Sequence, residues 1–254
     1  KVLLDETKDL IEKEIGIAKN HIMISSTHTH SAPAAKAALG TDAKGEYKEF
    51  LKAKIVQGVI EANKQLRPAE IGWGSCEAPE HTAVRRWIIR SDHVDKDPFG
   101  NMTVKANMHA PGRGMEKVTG ESGPEDPQLS LISFKGLDGN PIAVLANFSM
   151  HYFAGEQGIS ADYFGLFSEG LKDELSTNKN FVGIMSHGCS GDIWRRDYSK
   201  PAQKIKIEEY SKQMTKMAVD VYKNMKHYTA DTLRMKEVRK EYDLRVPSNE
   251  RLVW

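Results

Sequence analysis

The sequence predicts an α/β protein with layered, mixed β-sheets flanked by helices. Amphipathic helical patterns alternate with short apolar runs over most of the 254 residues, and no internal repeat or low-complexity tract interrupts them. Several of the apolar runs end in polar turns rich in histidine, serine or aspartate. A chain of this length can bury a substantial core, so we treat residues 1–254 as one domain.

Composition excludes some classes of function. The 36 basic and 35 acidic residues give a net charge of +1, so the chain has no broad electrostatic attraction for nucleic acid or for an anionic membrane. No apolar run reaches the roughly 18 residues of a transmembrane helix, and we expect no transmembrane segment. Cys76 and Cys189 can form a disulfide or remain free thiols, and the sequence leaves both readings open.

The first elements are a helix and a short strand. Apolar residues at helical spacing predict a helix over residues 2–15, and Gly16 ends it. The run Ile22 to Ile24 predicts a buried strand that leads to two histidines, His28 and His30. The small residues and the proline that follow end any regular element.

The next hundred residues contain a helix, two strands and a long irregular segment. Residues 46–66 show a second helical pattern, which ends at an Arg-Pro pair. Residues 69–78 and 82–90 predict strands from their alternation and their β-branched and aromatic content. Residues 91–127 are rich in Gly, Pro, Asp and Asn, and we expect them to form a loop that walls or covers a pocket.

A hairpin and a buried strand follow. The apolar runs 129–135 and 141–150 are joined by a Gly-Leu-Asp-Gly-Asn segment, which predicts a β-hairpin. The second run is apolar almost throughout, as in a strand buried on both faces, and His151 follows it.

The last third of the chain continues the alternation of helices and strands. A helix is predicted over 163–175, a buried strand over 181–185 and a long helix over 202–225. The strand leads into the polar turn 186–192, and residues 232–246 predict one or two extended strands.

Three predicted strands thus end in potentially reactive turns. These turns carry His28 and His30, His151, and the 186–192 segment. In open α/β sheets, ligands bind beyond the carboxyl ends of the strands, so we expect the three turns to converge. Neutral imidazoles are zinc ligands, but a His-x-His pair alone fits a hydrogen-bonded surface pair at least as well.

The chain resembles the neutral/alkaline non-lysosomal ceramidase family, which comprises zinc amidases that cleave the N-acyl bond of ceramide. Segments similar to family motifs occur in the same order between about residues 15 and 195: Ile24-Ser-Ser-Thr-His-Thr-His-Ser-Ala-Pro33, Val84-Arg-Arg-Trp87, Gly123-Pro-Glu-Asp-Pro127, Asn147-Phe-Ser-Met-His151, Ile159-Ser-Ala-Asp-Tyr163 and His187-Gly-Cys-Ser-Gly-Asp-Ile193. The resemblance implies a ceramidase-like catalytic domain, zinc as cofactor, a small-molecule or lipid N-acyl substrate, a part in lipid metabolism, and a secreted or periplasmic location.

The resemblance also implies roles for individual residues. His28 and His151 correspond to zinc ligands, and His30 corresponds to a residue that hydrogen-bonds the substrate carbonyl or the catalytic water. Arg85 is expected to hold the acyl carbonyl oxygen, or Arg86 if the register differs by one residue.

Three residues of the later motif complete the expected site. Asp192 either orients a zinc-bound histidine through its second ring nitrogen or caps its turn, and His187 lines the substrate pocket. Trp194 stands where ceramidases carry a serine and is followed by two arginines, which favours a substrate more polar than ceramide, anionic or sugar-containing. The remaining zinc ligands of the family, a glutamate and a tyrosine, are expected beyond residue 254. We also expect the chain to be a fragment that is incomplete at both ends.

Two alternatives remain open. The same fold can serve a non-catalytic protein that binds a glycan or a lipid head group. The Gly-Cys-Ser-Gly segment around Ser190 resembles the nucleophile turn of serine hydrolases but is one residue short of Gly-x-Ser-x-Gly. We expect a zinc-dependent hydrolase of an amide bond.

Overall fold

The computed structural model describes residues 2–37, 41–155, 158–176, 178–202, 204–230, 232–244 and 246–253. The α-helices among them are α1 (Val2–Ile15), α2 (Gly45–Lys64), α3 (Asp162–Leu175), α4 (Ile207–Lys223) and α5 (Asn249–Val253). The predicted helices over 2–15, 46–66, 163–175 and 202–225 therefore all form, with boundaries that differ by up to five residues.

The strands range from two to nine residues in length. They are β1 (Ala69–Glu77), β2 (Ala83–Val84), β3 (Arg86–Ile89), β4 (Asp95–Lys96), β5 (Met102–Val104), β6 (Ala106–Met108), β7 (Val118–Glu121), β8 (Gln128–Gly136), β9 (Pro141–Phe148), β10 (Val182–His187), β11 (Ile193–Trp194) and β12 (His227–Tyr228).

The main sheet has five strands in the order β10-β9-β8-β1-β12. Strands β9 and β10 run parallel, and the other neighbours are antiparallel, so the predicted mixed sheet with flanking helices is confirmed. The predicted hairpin joins β8 to β9 through a turn in which Gly139 adopts a φ of +82°. The parallel pair matters for the site, because the carboxyl ends of β9 and β10 lie side by side.

The core lies between one face of this sheet and helices α3 and α4. Its fully buried side chains include Leu129, Val144 and Phe148 from the sheet and Phe167 and Met214 from the helices.

The two helices approach closely at Gly170, where a Cβ would lie 2.8 Å from the Thr215 hydroxyl oxygen. The opposite face of the sheet is more exposed. It carries Trp73, Ile132 and Ile184, which lie in one row across the strands, with Leu145 between the two isoleucines.

A second, smaller sheet changes our interpretation of residues 91–127. We expected a loop there, but the segment contains β4 to β7, and β6 and β7 flank β3 in a three-stranded sheet. Trp87 and Ile89 from β3 and Ala110 form a small core of their own. These strands are only two to four residues long, which is too short for a period of two to be recognised in the sequence.

Two predicted strands do not form. The segment Ile22–Ile24 pairs with no strand among the described residues, and Met23 is 73% exposed, because β-branched residues form a strand only where a partner edge is available. The described residues 232–244 also contain no strand. They lie along α1 instead, where Glu237 pairs with Lys8 at 2.7 Å and Arg239 with Asp5 at 3.1 Å.

Two expectations that concern the whole chain can be compared with the described residues. Cys76 and Cys189 are both free thiols, so the reading in which they pair is wrong. None of the helices in the described part of the chain combines the length and the apolarity needed to cross a membrane.

Candidate metal centre

Three histidines from distant parts of the chain meet at the carboxyl end of β9. One ring nitrogen from each of His28, His30 and His151 lies within 4.8 Å of the others. The Nε2 atoms of His28 and His30 are 3.2 Å apart, and the ring centres of His28 and His151 are 4.6 Å apart. The predicted convergence of these histidines is therefore present, although the segment before His28 is not a strand.

His151 is positioned by the end of β9. The next residue after the strand, Ser149, is 1% exposed and donates its hydroxyl to Asp126 at 3.0 Å. The Ser149 carbonyl accepts the Thr82 hydroxyl at 3.3 Å. Asp126 belongs to the Gly-Pro-Glu-Asp-Pro segment, so this motif helps to hold the loop that carries His151.

The Ser-Ala-Asp-Tyr motif fixes the other side of the same loop. The buried carboxylate of Asp162 accepts the backbone N–H groups of Phe153 and Tyr163, both at 2.7 Å. The Tyr163 hydroxyl donates to the Met150 carbonyl at 3.1 Å. Asp162 adopts a φ of +57°, an uncommon conformation that Asp tolerates better than most residues. Met150, directly before His151, and Phe153, two residues after it, are thereby held from within the core.

His28 and His30 lie on a segment without regular structure, and both residues are exposed. His28 adopts a φ of +60°. Thr29 between them donates its hydroxyl to the Ser160 carbonyl at 3.0 Å, and the Ser160 amide donates to the Ser31 carbonyl at 2.9 Å. These two bonds join the segment to the residues just before α3, and they explain why both histidines face His151.

Burial and positive charge disfavour protonation at this centre. Burial lowers the pKa of His151 to about 4, and Arg85 and His28 act in the same direction. The pKa of His28 is also lowered, by burial first and then by His30 and Arg85. Both imidazoles are therefore neutral at pH 7, which is the form that binds a metal ion.

Arg85 is the arginine that reaches the histidines. One of its terminal nitrogens lies 3.4 Å from His151 Nε2 and donates to the Gly191 carbonyl at 2.9 Å. Arg86 begins β3 and its side chain is exposed. Since neighbouring residues in an extended segment face opposite sides, only one of them can point into the site. Of the two arginines, Arg85 is therefore the one that lies beside His151.

The turn 186–192 reaches the site through different residues from those we expected. His151 Nδ1 lies 3.1 Å from the Ser190 carbonyl, so Ser190 takes the orienting position that we had considered for Asp192. The backbone carbonyl of Asp192 accepts the Arg85 backbone N–H at 2.7 Å.

His187 stacks on His28 with ring centres 5.7 Å apart, and its Nε2 contacts the Ser190 hydroxyl at 2.5 Å. That nitrogen is engaged within the protein, which argues against the expected role of His187 in substrate binding.

Trp194 forms the centre of an aromatic wall beside the histidines. Its ring centre lies 5.8 Å from that of His151 and 5.7 Å from that of Tyr152. The guanidinium carbons of Arg85 and Arg195 lie 5.7 and 5.5 Å from the Trp194 ring. The structure therefore places Trp194 where it can contact a molecule bound at the histidines.

Sequence reasoning missed two residues of this wall. Tyr152 stacks on His30 with ring centres 3.8 Å apart, and the only signal in the sequence was its position directly after His151. His109 lies 5.7 Å from the Trp194 ring, and its Nδ1 contacts the Tyr198 hydroxyl at 2.7 Å. His109 has a φ of +60°, and the Ala-Pro-Gly turn after it was the only indication of a special conformation.

The donor set fits a zinc ion. Zinc binds neutral imidazole nitrogens at about 2.0–2.1 Å in tetrahedral geometry, so two ligands of one ion lie roughly 3.3 Å apart. The Nε2 atoms of His28 and His30 are 3.2 Å apart, close to this value, and His151 offers a ring nitrogen within 4.8 Å of both. These three histidines are also the group of potential metal ligands found in the described part of the chain.

Known structures with a similar fold are ceramidases. The neutral ceramidase from Pseudomonas aeruginosa aligns with a TM-score of 0.61 at 18% identity, over 87% of this chain and 34% of that chain. A structure described as ceramidase complexed with C2 aligns with the same values. No protein-family model and no curated protein matches the chain. The predicted ceramidase-like fold is confirmed, and the chain spans about a third of the length of the ceramidases it matches.

Proposed function

We propose that this chain forms part of a zinc-dependent hydrolase that cleaves an amide, N-acyl bond. The observation that supports the proposal most strongly is the meeting of His28, His30 and His151 within a ceramidase-like fold, with His28 and His151 in neutral form. The ceramidase fold supports amide hydrolysis as the reaction. The secreted or periplasmic location rests on the family resemblance alone.

In this proposal His28 and His151 hold the metal. A bound zinc ion would supply the Lewis acidity that polarises a carbonyl group and activates water, the two requirements of amide hydrolysis. The lowered pKa values of both histidines keep their ring nitrogens available at pH 7.

His30 and Arg85 contact the substrate carbonyl in this proposal. Both lie against the two proposed ligands, at 3.2 Å from His28 and 3.4 Å from His151 respectively. A guanidinium group fixed by the Gly191 carbonyl is suited to stabilise negative charge that develops on a carbonyl oxygen. His30→Ala should therefore retain zinc and lose turnover. Loss of zinc from this variant would instead identify His30 as a third ligand.

We further propose that the substrate is more polar than ceramide. Arg85, Arg195 and Arg196 surround the aromatic wall, and none of them forms an ion pair within the described residues. Trp194 is partly exposed, and an aromatic ring is a surface against which a sugar ring can pack. An anionic or sugar-containing N-acyl compound satisfies the three guanidinium groups better than an uncharged ceramide does.

One observation favours a second candidate, a serine hydrolase. The Ser190 hydroxyl lies 2.5 Å from His187 Nε2, as a nucleophile lies next to its base. However, Ser190 is only 5% exposed, and no carboxylate among the described residues hydrogen-bonds His187. The burial of the hydroxyl makes attack on a substrate unfavourable, and we place this candidate second.

A single assay panel tests the proposal. The full-length protein is incubated with N-acyl amino acids, N-acyl amino sugars and ceramide, each with and without a zinc chelator. We expect release of the free amine, loss of activity on chelation, and recovery when zinc is added back. Activity that resists chelation but is abolished by a serine-directed reagent would favour the serine hydrolase. Binding without turnover would favour the non-catalytic glycan- or lipid-head-group-binding protein.

A further inference from the structure

Ser190 lies between two histidines of the candidate centre. Its hydroxyl oxygen is 2.5 Å from His187 Nε2 and 3.4 Å from His151 Nδ1, and its carbonyl oxygen is 3.1 Å from the same Nδ1. Ser190 is 5% and His151 6% exposed, so bulk water has little access to these contacts. A donor or acceptor group that is left without a hydrogen bond at such a buried position destabilises the protein.

The carbonyl of Ser190 determines which nitrogen of His151 carries the proton. A carbonyl oxygen can only accept a hydrogen bond, so His151 Nδ1 must donate. In a neutral imidazole the lone pair is then on Nε2. This is the nitrogen that faces Arg85 at 3.4 Å. The contact with Ser190 therefore makes Nε2, which also receives the long Arg85 contact, the unprotonated nitrogen of His151 that could bind a metal ion.

His187 completes the chain of hydrogen bonds. Because His151 already donates to the Ser190 carbonyl, the proton of the Ser190 hydroxyl is free to bond His187 Nε2. Burial lowers the pKa of His187, His28 lowers it further, and a hydrogen bond to the Met150 backbone acts in the opposite direction. A bond to that carbonyl requires a proton on the other ring nitrogen, so Nε2 is the acceptor. The hydrogen bonds therefore run in one direction. His151 donates to the Ser190 carbonyl, the Ser190 hydroxyl donates to His187, and His187 donates to the Met150 carbonyl.

We propose that His187 and Ser190 are positioning residues for the metal centre, which hold the 186–192 turn against His151 so that His151 Nε2 is presented to zinc. This inference rests on the proposed function. It gives His187 a role inside the protein. A glutamine amide can likewise accept from a hydroxyl and donate to a carbonyl.

The test measures metal binding by full-length variants. Ser190→Ala removes the hydroxyl, His187→Leu removes both hydrogen bonds of the ring, and His187→Gln retains an acceptor and a donor. Zinc affinity is measured by competition with a chromophoric chelator. The visible spectrum of the cobalt-substituted protein reports the ligand geometry. Cys189→Ala is the matched control, because Cys189 is an exposed residue of the same turn.

We expect Ser190→Ala and His187→Leu to bind zinc about 10- to 100-fold more weakly and to show an altered cobalt spectrum. His187→Gln should recover most of the affinity, and Cys189→Ala should match the wild type. If His187→Leu fails to fold, as judged by circular dichroism, Ser190→Ala carries the test. Unchanged affinity and spectrum in the folded variants would overturn this inference and leave the proposed function intact. Absence of zinc binding in the wild type would overturn both.

Discussion

The two halves of the candidate metal centre are built in opposite ways. His151 is 6% exposed, and the residues around it are held by Asp126, Asp162, Tyr163 and Ser190. His28 and His30 are exposed, and their segment is joined to the rest of the protein mainly by two hydrogen bonds to Ser160. One half is therefore fixed by buried hydrogen bonds, whereas the other is held by two hydrogen bonds and by the stacking of His28 on His187 and of His30 on Tyr152.

This difference shows how a metal site can be divided between core and surface. In the proposed metal site the buried half would determine where an ion binds, because His151 cannot move without disturbing the core. The exposed half can adjust to the ion, since few contacts are lost when it shifts. Substitutions in the buried half should accordingly lower the stability of the protein. Substitutions in the exposed half should weaken metal binding and change stability little.

The largest effect on stability is expected for Asp162→Ala. The substitution leaves the buried N–H groups of Phe153 and Tyr163 without their acceptor and places alanine at a φ of +57°. We expect a loss of roughly 2–5 kcal/mol in the free energy of unfolding, measured by urea denaturation. Asp173→Ala, on the exposed side of the same helix, is the control and should change stability little. Equal effects of the two variants would show that the buried carboxylate of Asp162 does not stabilise the protein more than the exposed Asp173 does.

A smaller effect is expected for Gly188→Ala. A Cβ at this position would lie 2.3 Å from the Ser149 hydroxyl oxygen and 3.1 Å from the Ser149 Cα atom. Relief of these contacts must separate the 186–192 turn from the His151 loop, at a cost of about 1–3 kcal/mol.

The matched control for Gly188 lies in the same turn. A Cβ at Gly191 meets no atom within 4 Å, so Gly191→Ala should unfold at the wild-type urea concentration. If both glycine variants are equally stable, the turn is not packed against the loop as described.

The buried half was also the more predictable half. The apolar run of β9 and the Ser-Ala-Asp-Tyr segment placed His151 at a strand end and α3 after it, and both are found. The cause is that burial selects apolar and turn residues in patterns that the sequence displays.

The exposed half and the small sheet were less predictable. No local pattern reveals that Ile22–Ile24 lacks a partner strand, because pairing depends on residues far away in the sequence. Two contacts were unpredictable for the same reason. His151 contacts Ser190 and not Asp192, and Tyr152 stacks on His30. These contacts depend on distances of an ångström or two between separate turns, which spacing along the chain does not determine.

The stability of the metal-free protein should depend on pH through His151. Its pKa is about 4 in the folded protein, against about 6.5 for an unperturbed histidine in the unfolded chain. Between these values the unfolded chain binds more protons, so the free energy of unfolding should fall as the pH falls from 6.5 towards 4. Urea denaturation at several pH values measures this slope. His151→Gln should reduce the slope, and an unchanged slope would show that His151 is not buried in neutral form.

The smallest effect on stability is expected for Thr29→Val. The substitution removes the hydrogen bond to the Ser160 carbonyl from a partly exposed segment, which should cost at most about 1 kcal/mol in the free energy of unfolding. Zinc affinity should nevertheless decrease, because Thr29 lies between His28 and His30. A stability loss as large as that of Asp162→Ala would show that the exposed half is as firmly built as the buried half.

The most direct test of the metal centre is the zinc content of the full-length protein and of its variant His28→Ala/His151→Ala. Elemental analysis after purification without added metal should find stoichiometric zinc in the wild type and none in the double variant, with circular dichroism confirming that both are folded. Absence of zinc from the wild type, or an undiminished amount in the double variant, would contradict the assignment of His28 and His151 as the ligands.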